Sequence, residues 1–489
     1  MPAIITNKFR INNSEQFAES FSEASPTVYY LGIGRPQPFA TSTRGDLRTE
    51  NEGVDTAAIT PSDSVYEEFN TYQDLLAVKK IVSSNVSYSI PRRNWITGTV
   101  YDYYRHDYGN YIPDSTTPRT SNSGATTLFD SKFYVLNSEN NVYKCLDNSN
   151  NSASTSEPTG TSNSIIQTGD NYKWKYMYSL SSAQQLNFLS TDFMAVSTNG
   201  TVSSVAVDGA IHIVKIANGG SSGNNGTYTN IPIRGNGTGG TVTVGVSGNA
   251  VSSVTVTNVG SGYTYAYIRN SDIVSAGATG LTGSKLECII EPKGGHGFDA
   301  VKELGGFFVM LNISLEGKET SNTGDFTSEN DFRKIILIRD PKSSGLPASV
   351  TTLRATRAVH FAASPTPGTF LADESITQAT TGATGKVVEW DSANRILYYI
   401  QTRFNNAGLD SNGNLTAFNG ANIITGSTSS ATATPSSVAS ETVNQVTFTN
   451  GYVIPEIDAN SGDVMYIENR APINRAADQT ENIKLVIEF

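Results

Sequence analysis

Val242, Val244 and Val246 occupy every second position, and Val251, Val254, Val256 and Val259 largely continue the rhythm. A period of two puts alternate side chains on opposite faces of the backbone, as half-buried β-strands require and helices do not. Tyr172, Trp174, Tyr176 and Tyr178 repeat it with rings, which predicts a strand over Tyr172–Leu180 with all four on one face. Further strands are expected at Tyr29–Gly34 (halted before Pro36 and Pro38), Lys132–Leu136, Val142–Leu146, Phe307–Leu311, Lys334–Ile338, Val464–Ile467 and Ile483–Phe489. Charged residues make up only 16% of the chain, against about 25% in ordinary soluble domains. Ser, Thr, Asn and Gly take their place, a composition suited to β-surfaces and turns. The fold class is therefore mainly β: a multi-domain β-sandwich framework with a few short helices and two inserted small β domains.

Three segments read differently. Ile4, Ile5, Phe9 and Ile11 suggest a short opening strand, and Ser14 to Phe21 a helix. The clearest helix starts near Pro61-Ser62, with Ser62 as cap, Val65, Phe69, Tyr72 and Leu76 as an apolar stripe, and Lys79 and Lys80 at its negative end.

At 489 residues the chain has room for about three domains of ordinary size. Ser149 to Ser164 is almost free of apolar residues and reads as a surface loop. The texture changes near Thr201, where valines alternate with small polar residues and glycine clusters intervene. Val214-Lys-Ile-Ala-Asn-Gly-Gly-Ser-Ser-Gly is echoed by Val254-Thr-Val-Thr-Asn-Val-Gly-Ser-Gly, with Tyr228-Thr229 after the first and Tyr263-Thr264 after the second. Gly294 to Asp299 ends that pattern. A second stretch begins near Pro365, and Phe370…Ile376-Thr377…Ala383-Thr384 recurs without gaps, 48 positions on, as Phe418…Ile424-Thr425…Ala431-Thr432. Two copies are too few for a solenoid and predict one small β unit with repeated halves. The expected division is 1–200 framework, 201–293 inserted Gly/Val-rich module, 294–363 framework strands, 364–442 inserted module with the repeat, and 443–489 closing strands.

Several function classes lack support in the residues. The net charge of −11 does not provide the dense basic surface that nucleic acid needs. No run of about 18 apolar residues is present for membrane insertion, and the first residues lack a signal-peptide pattern. Cys145 and Cys288 sit among strand-like apolar residues and are expected as buried thiols. His106, His212, His296 and His360 show no metal-ligand spacing. Gly235-Asn-Gly-Thr-Gly-Gly240 is followed by a valine strand instead of a helix, and Gly277 to Lys285 lacks the Gly-Lys-Ser/Thr order, so neither is a phosphate cradle. Asp410-Ser-Asn412-Gly413-Asn414 has its glycine misplaced for a calcium loop, with Ala421 where the last ligand should be, and reads as a hairpin turn. No Gly-x-Ser-x-Gly elbow and no distinguished carboxylate pair occurs. No catalytic, cofactor-binding or metal residue is expected, and no cofactor; the chain reads as no enzyme.

What stands out is suited to contacts between proteins. Ile90-Pro-Arg92-Arg93-Asn-Trp95 sets two guanidiniums beside an indole, and Glu468-Asn469-Arg470 precedes Ala471-Pro472. Arg and Trp dominate interface hot spots, and the same residues also serve as internal loop anchors. Arg92, Arg93, Trp95, Trp174, Glu468, Asn469 and Arg470 are therefore the candidate interface or framework anchors.

At these residues the sequence resembles the gene-eight baseplate wedge proteins of T-even-like contractile-tailed phages. The likeness runs in order through Ile5-Thr-Asn-Lys-Phe-Arg10, Gly34-Arg35 with Pro38-Phe39, Ile90 to Trp95, Tyr143-Lys-Cys-Leu-Asp147 and Gly169-Asp170-Asn-Tyr172-Lys-Trp174. It continues at Phe332-Arg333-Lys-Ile-Ile with Pro341, and at Met465 to Ile473 followed by Asp478-Gln-Thr-Glu481. It covers roughly 1–200, 295–360 and 445–489. The resemblance implies a β-rich virion protein of the tail baseplate, assembled in the host cytoplasm. It would form a homodimer, hold other wedge subunits and rearrange on contraction. It implies nothing for the two inserted stretches, where Tyr228, Tyr263 and Tyr265, if exposed, would suit a second reading: an adhesin whose modules bind host glycan.

Overall fold

A computed structural model describes residues 3–23, 27–39, 53–112, 115–317, 324–326, 331–402, 408–473 and 480–489. Two compact units divide the chain, which passes between them more than once. One contains Met1–Ala18, Ser87–Met310 and Val486–Phe489; the other contains Glu19–Val86 and Leu311–Leu485. Sheets are antiparallel throughout the paired strands described, and the expected β class holds.

In the first unit the chain opens on a helix, Asn7–Glu19, not on a strand. Thr6 Oγ1 accepts from the Phe9 amide at 3.3 Å, offering the backbone a helix start at the residues expected to extend. Ile4, Ile5 and Phe9 stay largely exposed, and Ile11 alone among the four is buried. Strands Tyr134–Leu136, Asn141–Asp147, Lys173–Ser179 and Ile166–Gln167 form a four-stranded sheet. The four aromatic residues expected on one face do not stay together. Val142 faces Tyr178 and Tyr143 faces Tyr176, so Met177 is the extra residue of a bulge. Tyr172, Trp174 and Tyr176 pack with Tyr101, Val135, Tyr143 and Cys145, whereas Tyr178 joins a separate core with Met177, Phe133 and Tyr134.

The valine-rich stretch builds the three-stranded sheet Gly226–Pro232, Thr241–Ser247 and Ala250–Asn258, beside the pair Ile213–Asn218 and Lys285–Ile289. Val202, expected in the β pattern, lies instead in the one-turn helix Gly200–Ser203, capped by the Asn199 side chain. Residues from Ile211 to Cys288 share one core. The glycines at 235–240 serve Tyr263: a Cβ on Gly237 would lie 2.4 Å from Cγ of that ring. The Tyr263 hydroxyl donates to Ile233 O at 3.0 Å and accepts from the Gly240 amide. Tyr263 is therefore buried and does not meet the condition of exposure that the second reading needs; Tyr228 is half-buried and Tyr265 is exposed.

In the second unit Thr352–Arg354, Leu75–Ile81, Tyr29–Gly34, Phe332–Arg339 and Asp463–Ile473 form a five-stranded sheet in that order. Gly32 sits where both neighbouring strands press in; a Cβ there would meet Ile336 Cγ2 at 2.7 Å and Val78 Cγ1 at 2.8 Å. The expected long helix is only Val65–Asp74, capped by Ser64 instead of Ser62. Leu75 turns extended, and Leu75, Leu76, Ala77 and Val78 are all buried in a strand with neighbours on both sides. A continuous apolar run of this kind satisfies a central strand as well as it satisfies a helix. Val65, expected in the stripe, is 81% exposed.

The 48-residue repeat is visible as symmetry. Thr377 pairs with Thr425, its own repeat equivalent, and Ile376 with Gly426, so strands Ser375–Gln378 and Ile424–Gly426 meet about a local two-fold. Thr377 also faces Thr384, and Thr425 faces Thr432, the corresponding pair. Phe370 and Phe418, and Ala383 and Ala431, are equivalently buried in one core.

Candidate functional site

The contacts described for the Arg92–Trp95 segment lie within its own unit. Pro91 closes the strand Val86–Pro91, and beyond it Asn94 bridges Leu136 while the Leu136 amide donates to Arg93 O at 2.7 Å. Arg92 Nη1 donates to Ser190 O at 2.8 Å and its Nε to Asn94 Oδ1 at 2.9 Å. Arg93 donates to Ser131 O and Phe129 O, and its guanidinium lies 4.6 Å from the Tyr134 ring centre. Trp95 donates through Nε1 to Ser154 Oγ at 3.1 Å and packs against the cluster that contains Trp174. The structure thus brings Trp95 and Trp174 to one core. Trp174 is fully buried, stacked on Tyr172 at 5.5 Å and edge-on to Tyr101.

Ser154 is the surprise of this region. It lies in the stretch expected to be a surface loop, yet it is fully buried. Its hydroxyl donates to Asp170 Oδ2 at 2.9 Å, and the same oxygen takes the amides of Thr155 and Ser156 at 2.8 and 3.0 Å. Burial would raise the Asp170 pKa, but these bonds and the one from Thr168 outweigh it and hold it down at about 2.

Glu468, Asn469 and Arg470 belong to the other unit, on Asp463–Ile473, the last strand of the five-stranded sheet. Glu468 accepts from the Tyr466 hydroxyl at 3.1 Å and lies 3.9 Å from Arg470 Nη1. Asn469 Nδ2 donates to Ile59 O at 3.1 Å. Arg470 Nε is buried without a hydrogen-bond partner among the described residues. Asp478, Gln479 and part of the neighbouring motif lie outside the described residues.

Sequence reasoning missed three polar constellations. Lys144 and Glu303 form a buried ion pair, with His296 3.9 Å from both Glu303 and Glu291, and His212 bonded to Glu291. Arg105 and Arg119 clamp Asp107 and Glu287 in a four-member network. Lys334 pairs with Glu67, and Arg333 with Asp55. Each joins residues remote in sequence, so no local spacing could announce them. Gly294 to Asp299, which ends the β pattern in the sequence, wraps Glu291 and Glu303, which accept the amides of His296, Gly297 and Asp299. Both cysteines are buried as expected, and desolvation pushes the Cys288 thiol up to about 12. Among the described residues no group of His, Cys, Asp and Glu is arranged to hold a metal ion, and no helix is long and apolar enough to cross a membrane.

Residues 3–152 match the family described as "Bacteriophage T4, Gp8". The chain is 24% identical over 209 residues to "Baseplate wedge protein gp8" of Enterobacteria phage T4. The alignment takes in 40% of this chain and 60% of that protein, so it spans less than two thirds of the relative's length. The resemblance read from the residues is therefore found independently, and it includes the Arg92–Trp95 anchor.

Proposed function

We propose that this chain is a structural subunit of a contractile phage tail baseplate wedge and acts without catalysis. The observation that carries this reading is the match of residues 3–152 to the wedge-protein family. Under it the protein resides in the virion baseplate, is assembled in the host cytoplasm, forms a homodimer, binds other wedge subunits, and rearranges when the tail contracts. The stretches 201–293 and 364–442 are modules added to the wedge framework in this reading; the first encloses a core of its own, and the core of the second also takes in Val359 and Phe361 from the segment before it. Arg92, Arg93, Trp95 and Trp174 act as framework anchors in this reading, because their partners lie within one unit. Glu468, Asn469 and Arg470 lie on a sheet edge and suit subunit contact better. Purified particles test the proposal: deletion of the gene's product should leave tails without complete baseplates, and complementation should restore them. Complete baseplates lacking this chain would defeat it.

A second reading, host-glycan binding by the 201–293 module, draws on Tyr265 and Tyr267, which are 57% and 40% exposed. Its test is glycan-array binding by the full chain, lost in Tyr265→Ala.

A further inference from the structure

We propose that a groove at the edge of the five-stranded sheet is a socket for one arginine side chain of a neighbouring baseplate protein. The inference deepens the structural role proposed above and rests on it.

Among the described residues, Asp463–Ile473 has one sheet neighbour, Phe332–Arg339, and its other edge is the end of the sheet. A long bare edge invites unwanted pairing, and proteins blunt such edges with bulges, prolines and cover. All three devices are present here. Pro472 lacks an amide, Asn469 is tied to Ile59 O, and a bulge interrupts the ladder, since Leu337 faces Tyr466 while Ile338 faces Val464. Met465 is the extra residue. A bulge of this kind re-aims a side chain, and Met465 is 49% exposed. Strand addition is thereby disfavoured, and insertion of a side chain is left as the available mode of contact.

The space beside the bulge is a groove of about 250 Å³. One wall is apolar: Val464, Met465, Tyr466 and Ile467. The facing wall runs through Pro61, Ser62, Asp63 and Ser64 to Glu68. Three neighbouring carboxylates are committed. Glu67 holds Lys334, Asp463 holds Arg339, and Glu468 takes the Tyr466 hydroxyl. Asp63 and Glu68 have no ion-pair partner among the described residues. The groove therefore combines a hydrophobic wall for an alkyl stem with two uncommitted carboxylates for its head. Arginine has that build, a long apolar stem and a planar cation that forks onto carboxylates. Methionine and tyrosine walls are also common where interfaces concentrate their energy. The net charge of −11 adds attraction for a basic partner.

The test places a photoreactive benzoylphenylalanine at Met465 in the full chain, incorporated into particles, and maps the crosslinked residue by mass spectrometry after irradiation. The proposal expects a crosslink to another baseplate protein within two residues of an arginine. The yield should fall at least fivefold in the Asp63→Asn, Glu68→Gln double variant. Particles that contain the chain but give no crosslink, an unchanged yield in the double variant, or a crosslink to a segment lacking arginine or to a second copy of this chain would each overturn the socket. Absence of the chain from particles would instead defeat the structural role and the socket with it, and is read separately from the same sample.

Discussion

Trp95 and Asp170 are linked through a single buried hydroxyl: the indole N–H donates to Ser154 Oγ, and Ser154 donates to the carboxylate. The relay fixes an Arg-Arg-Asn-Trp turn onto a loop that has almost no apolar residues of its own. Ser154→Ala removes the acceptor of the half-buried indole N–H and one bond from Asp170. It should cost about 1–2 kcal/mol, read as a shift in the urea midpoint at unchanged slope.

Asp170 also gives a pH signature. Its folded pKa of about 2 lies below the ordinary value of 3.8, so the folded state binds its proton less readily than the unfolded chain does. The stabilisation is full above about pH 4 and is lost as pH falls through 2. Asp170→Asn should flatten that part of the stability–pH curve. An unchanged acid limb in this variant would contradict the assignment.

A second acid response belongs to the buried cluster. Burial lowers the His296 pKa from 6.5 more than the carboxylates of Glu291 and Glu303 raise it. Burial acts to raise the Glu303 pKa, but Lys144 and His296 outweigh it and leave it at about 2. Both shifts are downward, so both contributions are present at neutral pH and decline on acidification, the histidine's from about pH 6.5 and the glutamate's below about 4.5. Lys144→Met leaves the buried Glu303 carboxylate without its ammonium partner and should cost about 3–5 kcal/mol at pH 7. Adding Glu303→Gln to it should recover part of that loss. Thermal melts of the two variants decide it.

The repeat makes a paired prediction. Phe370→Ala and Phe418→Ala remove equivalent rings from one core and should each destabilise by about 3–5 kcal/mol. Ala383→Leu and Ala431→Leu overpack equivalent sites, at about 1–3 kcal/mol each. Strongly unequal losses within either pair, measured by denaturant titration, would mean the two halves are not energetically equivalent.

Glu287 joins the strand Lys285–Ile289 to Arg105 and Arg119. Glu287→Gln should leave Asp107 as the one carboxylate of this network facing both guanidiniums. Faster amide exchange is expected at Ile213–Asn218 and Lys285–Ile289, while the Tyr172–Trp174 core is unaffected.

Strand existence was readable in the sequence because alternating valines and rings have a period no helix shares. The buried runs Phe332–Arg339 and Tyr29–Gly34 were equally clear, bounded as they are by Asp340-Pro341 and Pro36. Leu75–Ile81 was not, since an all-apolar run carries no period to distinguish strand from helix. The expected Ser14–Phe21 helix covers the second half of the observed Asn7–Glu19 helix; its first turns read as a strand because Ile4, Ile5 and Phe9 are exposed there and only the Thr6 cap signals the start. The bulges at Met177 and Met465 depend on what the partner strand offers, which a single strand cannot encode. Arg92, Arg93 and Trp95 could be found from composition, but Ser154 and Asp170, which complete that anchor, become visible only when the chain has folded.

A reconstruction of the purified baseplate by electron cryomicroscopy tests the central claim most directly. The account predicts density for the two-unit β framework at a fixed, symmetric position in every wedge, with Met465 at a boundary with another protein. Well-resolved baseplates in which no density fits this chain would contradict it.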